Sequence, residues 1–171
     1  MSFRFATHAD IDALVMLVES AYRGDVSRKG WTTEADLLDG RRTGPDDISS
    51  CIEDPKGGIL CLERDDHILA CANVTRQDGA GYFGMFSVSP DLQGSGIGKT
   101  VLNEAERVVR DDWRLPTMRM TVIDCRAELI EFYQRRGYHL TGFKKPFPYG
   151  DERFGIPKRD DLQFEIMEKR L

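Results

Sequence analysis

The chain has 171 residues, 40% of them hydrophobic and 31% charged, with a formal net charge of −5 and a pI of about 5.3. That balance describes one globular domain over residues 1–171 and excludes a broad nucleic-acid surface, which would need a basic face. Four cysteines, Cys51, Cys61, Cys71 and Cys125, contain no C-x-x-C pair, so neither a metal site nor an oxidising compartment is implied. The N-terminal "MSFRFATHAD" lacks the apolar core of a signal peptide, and no apolar run reaches the roughly 20 residues of a membrane helix. A cytoplasmic location without membrane contact is the expectation, and a homodimer is compatible with it.

Taken in chain order, "FRFAT" predicts a first strand. Thr7, with Asp10 three residues on, opens a first helix whose apolar stripe runs through Ile11, Leu14, Val15, Val18, Ala21 and Tyr22. "RGDVSRKGW" breaks it. A second helical region is predicted from Thr33 to about Glu53, split at Gly44-Pro45. Residues 58–88 read as a three-strand meander, turning at Asp65-Asp66 and Asp78-Gly79. A helix follows from Ile97, with Val101, Ala105 and Val108 inward and Glu104, Glu106, Arg107 and Arg110 facing elsewhere. "MRMTVID" predicts a fifth strand, "RAELIEFYQRRG" a short helix ending at Gly137, and "YHLTGF" a sixth strand. Residues 144–161 are rich in Pro, Gly and charge and read as a long loop before a final strand, "LQFEIME". The fold class is mixed α/β: one central sheet of about seven strands flanked by about four helices. A right-handed crossover makes the fourth and fifth strands parallel.

The stretch "DLQGSGIGKT", residues 91–100, carries three glycines before a lysine and a threonine. A phosphate loop of the form G-x-x-x-x-G-K-[ST] matches at Gly98-Lys99-Thr100 but needs glycine at Gln93. The dinucleotide fingerprint G-x-G-x-x-G fails at Lys99. The pattern Q/R-x-x-G-x-G/A fits throughout, over Gln93, Gly94, Ser95, Gly96, Ile97 and Gly98. Small residues let backbone approach a ligand, successive amides make an anion-binding concavity, and the helix N-terminus adds roughly half an elementary positive charge. Backbone donors are expected from Gln93 to Lys99, with the Lys99 side chain either adding a contact or remaining in water.

With that motif, and with "MTVIDCRAELIEFYQRRGYHLTGF" after it, the chain resembles the GNAT superfamily of acyl-CoA-dependent N-acyltransferases over nearly its whole length. The resemblance implies that the fourth and fifth strands splay apart and that acetyl-CoA is co-substrate. Its pantetheine would pair with the fourth strand around Phe86, Ser87 and Val88, and its pyrophosphate would sit on the glycine loop. It implies direct attack by an amine, with Tyr133 as general acid; otherwise Tyr133 is a core aromatic. Two departures stand out. Arg126 replaces the family's frequent Asn, to contact the cofactor or cap the surface, and "GYFGMFSV" lacks the family's carboxylate base.

The resemblance places the acceptor between the loop after the first helix and the late strands. There Tyr22, Trp31 and Tyr149 are the substrate-binding candidates, Trp31 either lining the pocket or stapling its loop. Asp151 and Glu152 would attract a cationic amine or belong to a solvated charge run. The expected activity is acetyl transfer to a primary amine of a small molecule, amino acid or peptide. The alternative is an acyl-CoA-binding sensor without catalysis.

Overall fold

Residues 59–62 are buried without interruption, and so are 70–72, which marks strands covered on both faces. The computed structural model describes all of residues 1–171 and shows how the cover is divided. Ile59, Cys61 and Cys71 point to one side and join Leu14, Val18 and Ile48 of helices α1 (Ile11–Tyr22) and α3 (Pro45–Glu53). Leu60, Leu62, Ala70, Ala72 and Val74 point to the other and pack on Val101, Leu102 and Ala105 of α4 (Ile97–Arg107). The period of two along each strand thus feeds two separate cores. Cys61 and Cys71 behave as the buried apolar residues expected of them, and burial pushes the Cys61 thiol up to about 12.

The strands are β1 (Ser2–Phe5), β2 (Leu38–Asp39), β3 (Gly57–Arg64), β4 (His67–Gln77), β5 (Ala80–Val88), β6 (Thr117–Ile123), β7 (His139–Pro146), β8 (Ile156–Pro157) and β9 (Gln163–Arg170). Seven of them form one sheet in the order β1-β3-β4-β5-β6-β9-β7, and β2 pairs with β8 apart from it. Two one-turn or two-turn helices, α2 (Gly24–Ser27) and α5 (Ala127–Gln134), complete the set.

The predicted fourth and fifth strands are β5 and β6. They are parallel, and they pair only at Gly81 with Met118 and Tyr82 with Arg119. Beyond that point they diverge. The cause lies in β5: the register with β4 shifts between Asn73–Gly84 and Cys71–Ser87, so β5 carries one extra residue, and Met85 takes φ 50°. This β-bulge bends the strand away from its neighbour. Gly81 sits where the strands still touch; a Cβ there would lie 2.4 Å from Val109 on the segment following α4.

Four expectations need correction. Residues 33–44 are not helical: the Thr33 hydroxyl receives the Ala35 N–H at 3.2 Å, an ST turn that competes with helix, and Gly40 takes φ 75° before Pro45 restarts helix at its first position. The break after the first helix contains α2. Residues 144–161 are not all loop, since β7 runs to Pro146 and β8 pairs with β2. Glu106 does not face solvent; it is buried on α4, accepting hydrogen bonds from Tyr138 Oη at 2.9 Å and Lys169 Nζ at 2.7 Å.

Gly81→Ala forces a methyl into Val109 and is expected to destabilise the fold by about 1–3 kcal/mol in urea denaturation, the range for overpacking. Gly79→Ala, where nothing lies within 4 Å but φ is 75°, is the strained but uncrowded comparison and is expected to cost less.

Candidate active site

The glycine loop leaves β5, makes a turn at Pro90–Leu92 and enters α4 at Ile97. Gly94 at φ 83° and Gly96 at φ 90° hold conformations that side-chain-bearing residues resist, and Gly98 lies where a Cβ would stand 3.2 Å from the Phe86 ring. The amides of Gln93 and Ser95 bond back to Pro90 O and Leu92 O, so two of the expected donors are used inside the turn. The amides of Gly94, Gly96, Ile97, Gly98 and Lys99 have no protein partner, and the first backbone bond of the helix is Thr100 N–H to Gly96 O. They form a row of donors at a helix N-terminus.

A cavity of about 280 Å³ opens over this row, with Lys99, Arg135 and Arg136 around it. Sequence reasoning missed the two arginines. Arg136 lies with its guanidinium 3.5 Å over the Phe132 ring and donates to the Phe132 carbonyl at 2.6 Å. Their signal is the "QRRG" that directly follows Tyr133.

Gln93 does not spend its side chain on this cavity. Its Oε1 accepts the Trp31 and Thr32 amides at 2.8 and 3.2 Å, and its Nε2 donates to Thr32 Oγ1 at 2.8 Å and Val88 O at 3.1 Å. It clamps the segment after α2 to the end of β5. Of the two readings of Trp31, its packing fits the staple: the ring lies tilted, 5.4 Å from Phe132, and borders the small cavity.

A second cavity, of about 470 Å³, fills the wedge between β5 and β6. Phe86 lines both cavities. Ser89 N–H bonds Leu69 O, so Ser87 faces β4 in the ladder while Phe86 and Val88 turn their main-chain groups to the gap. Of the three residues expected to meet pantetheine, Ser87 is therefore the one turned away. The Phe86 carbonyl accepts the Tyr22 hydroxyl and the Val88 carbonyl accepts Gln93, so side chains cap both acceptors at this end of the strand. Tyr22 lines the large cavity, but its hydroxyl is spent on the bulge, and burial pushes it up to about 12. At the closed end of the wedge, Tyr82 Oη and Thr121 Oγ1 share a hydrogen bond of 2.8 Å.

Tyr133 projects from α5 into the large cavity with 4% exposure. Its ring packs edge-on against Phe132 and Tyr138, and no protein group hydrogen-bonds its hydroxyl. Burial raises this phenol well above its ordinary value of 10. A buried hydroxyl facing a cavity without a protein partner is set up to bond a ligand.

Arg126 is not at the glycine loop. It is nearly buried, with Nη2 donating to Thr32 O at 2.7 Å and Nη1 to Glu34 Oε1 at 3.2 Å. The other Glu34 oxygen accepts Arg23 Nη1 at 2.6 Å. Arg23, Glu34 and Arg126 all line the large cavity; Arg23 lies in the loop expected to border the acceptor, whereas Glu34 and Arg126 were not expected there. Glu34 is its only carboxylate. Tyr149 is corrected too. Its hydroxyl donates to Arg159 O and accepts Leu162 N–H, stapling the late loop, while Phe147, Pro148 and Phe154 reach the cavity instead. Asp151 is held by Arg153 at the surface, and neither it nor Glu152 lines the cavity.

A family model described as the acetyltransferase (GNAT) family matches residues 16–138. The chain belongs to that family of acyltransferases. No curated protein matches it in sequence. Solved structures share its fold. The ribosomal-protein-S18-alanine N-acetyltransferase of Escherichia coli is 15% identical with a TM-score of 0.68, over 99% of this chain and 92% of that one. The ribosomal-protein-alanine N-acetyltransferase of Brucella melitensis is 18% identical with a TM-score of 0.68 over the whole of both chains. The PaiA N-acetyltransferase of Thermoplasma acidophilum, solved with coenzyme A, is 15% identical with a TM-score of 0.66, over 99% of this chain and 98% of that one.

Gln93→Ala orphans two amides and two further groups at once. It is expected to lower stability by about 1–3 kcal/mol in denaturant titration, the cost of leaving buried polar groups unpaired. Lys99→Ala is expected to change stability by less than about 0.5 kcal/mol, as an exposed substitution.

Proposed function

We propose that residues 1–171 form one domain that transfers the acetyl group of acetyl-CoA to a primary amine of a small molecule, amino acid or peptide. The observation that carries this reading is the meeting of two cavities at Phe86, one bordered by unpartnered amides and three cations, the other holding the unpartnered hydroxyl of Tyr133. A polyanionic diphosphate suits the first, and a thioester between the strands suits the second. The fit is built into the chain: the positive-φ glycines and the missing Cβ of Gly98 clear the space that such a ligand would take. All four cysteines are free thiols, which supports a cytoplasmic location within the same proposal.

The residues divide the work. The five amides, with Lys99, Arg135 and Arg136, anchor the diphosphate and use binding energy remote from the chemistry to position the thioester. A main-chain amide at the end of β5, that of Phe86 or Val88, donates to the carbonyl oxygen that gains charge during attack. Direct attack makes the C–N bond and breaks the C–S bond; the thiolate takes a proton and the amine gives one up. Tyr133 Oη supplies the first proton. Burial that raises its pKa also destabilises a thiolate in the same place, so donor and acceptor shift together.

No free carboxylate faces the wedge, because both oxygens of Glu34 accept from guanidiniums. The amine therefore enters as the free base or loses its proton to water. The same lack favours the second reading, an acyl-CoA-binding module without turnover.

Tyr133→Phe separates the two. With acetyl-CoA and an accepted amine, thiol release should fall by about 10²–10⁴-fold, the range for a general acid, while acetyl-CoA binding is retained. Unchanged turnover would remove Tyr133 from the mechanism, and absence of turnover in the parent chain with every amine would leave the sensor. The pH profile follows from the direction of the Tyr133 shift. A raised pKa keeps the phenol protonated past its ordinary value of 10, so the rate should climb with amine deprotonation and show no alkaline fall up to about pH 9.

A further inference from the structure

Five charged side chains line the large cavity: Arg23, Glu34, Arg42, Arg126 and Lys145. Four cations against one carboxylate leave an excess of three positive charges, in a chain whose net charge is −5. Two of the cations are uncommitted. The Arg42 guanidinium lies 5.4 Å over the Tyr22 ring and makes no ion pair. Lys145 has no carboxylate partner, while its neighbour Lys144 is held by Asp124 at 3.3 Å and Glu165 at 3.1 Å. Arg23 is the third observation. Its side chain is 5% exposed, yet Nε and Nη2 have no partner in the protein. Buried guanidinium donors are costly to leave unpaired, and the rest of the wall is largely apolar.

Resting on the acetyltransferase reading, we propose that the acceptor is a small amine that also carries an oxyanion, the carboxylate of a free amino acid, received by the cationic wall of Arg23, Arg42 and Lys145. The sign of the wall excludes polycationic acceptors, which the same charges repel. It also answers the missing base. A positive wall disfavours an ammonium and so favours the neutral amine that attacks. The acceptor's carboxylate then provides the countercharge that lets the amine enter.

The test uses matched probes, free α-amino acids against their α-amides, with a linear diamine as the cationic member. In thiol release with acetyl-CoA, the amino acids should exceed their amides by about tenfold or more in kcat/KM, the scale of one charge-assisted contact. Arg42→Gln and Lys145→Gln should each raise the KM for the amino acid several-fold and leave the KM for acetyl-CoA unchanged. Amides or the diamine turned over as well as the amino acids would overturn the proposal. A second readout does not need turnover: with free CoA present, the amino acids should raise the melting temperature and the amides should not. No shift with any amino acid also overturns it. Amino acids that bind while no amine releases thiol would instead overturn the acetyltransferase reading and leave the anion site standing.

Discussion

Beyond Tyr82, β5 gives up its pairing with β6, and a strand edge inside the protein is left with main-chain groups to satisfy. The extra residue at Met85–Phe86 forces this, since a bulged strand cannot stay in register with both neighbours. Two side chains answer part of the demand. Tyr22 caps the Phe86 carbonyl and Gln93 caps the Val88 carbonyl. Amides are the half of a strand-edge backbone that a thioester or a pantetheine carbonyl can use. The wedge is thus a packing defect whose carbonyls at Phe86 and Val88 the fold caps with side chains.

The segment around residues 31–34 holds the arrangement together. Gln93 grips it from the glycine loop, and Arg126 grips it from the start of α5 through Thr32 and Glu34. These contacts place the loop, the strand end and the helix bearing Tyr133 in one hydrogen-bonded unit. Breaking one member would strand the others, because the Arg23–Glu34–Arg126 cluster is buried and its one carboxylate is the ion-pair partner of both guanidiniums. Both cavities are bounded by cations, the smaller one through a helix N-terminus with Lys99, Arg135 and Arg136, the larger one through Arg23, Arg42, Arg126 and Lys145.

Much of this was readable from residue pattern alone. The strand runs and Asp turns of the meander, the glycine spacing from Gln93 to Gly98 and the apolar stripe of α4 are local signals, and each element formed where its signal lay. The parallel β5–β6 pair followed from chain order. What escaped depends on partners far apart in sequence. Glu106 is buried because Lys169 and Tyr138 reach it, Arg126 turns to Glu34, 92 residues away in sequence, and the Trp31 ring packs beside Phe132. Asp151 and Glu152 fit the solvated charge run, and the cavity wall is basic, assembled from Arg23, Arg42, Arg126 and Lys145 on separate elements. No sequence window contains that charge pattern.

The central claim is that the five unpartnered amides at the head of α4 hold the diphosphate of a coenzyme A compound. A melting-temperature titration with acetyl-CoA, free CoA, ATP with magnesium, and NAD addresses it directly, since a ligand bound only by the folded state raises the melting point by mass action. The account requires concentration-dependent stabilisation by both CoA compounds and none by ATP or NAD. Stabilisation by ATP with magnesium alone would contradict it and return the loop to the phosphate-loop pattern that Gln93 interrupts.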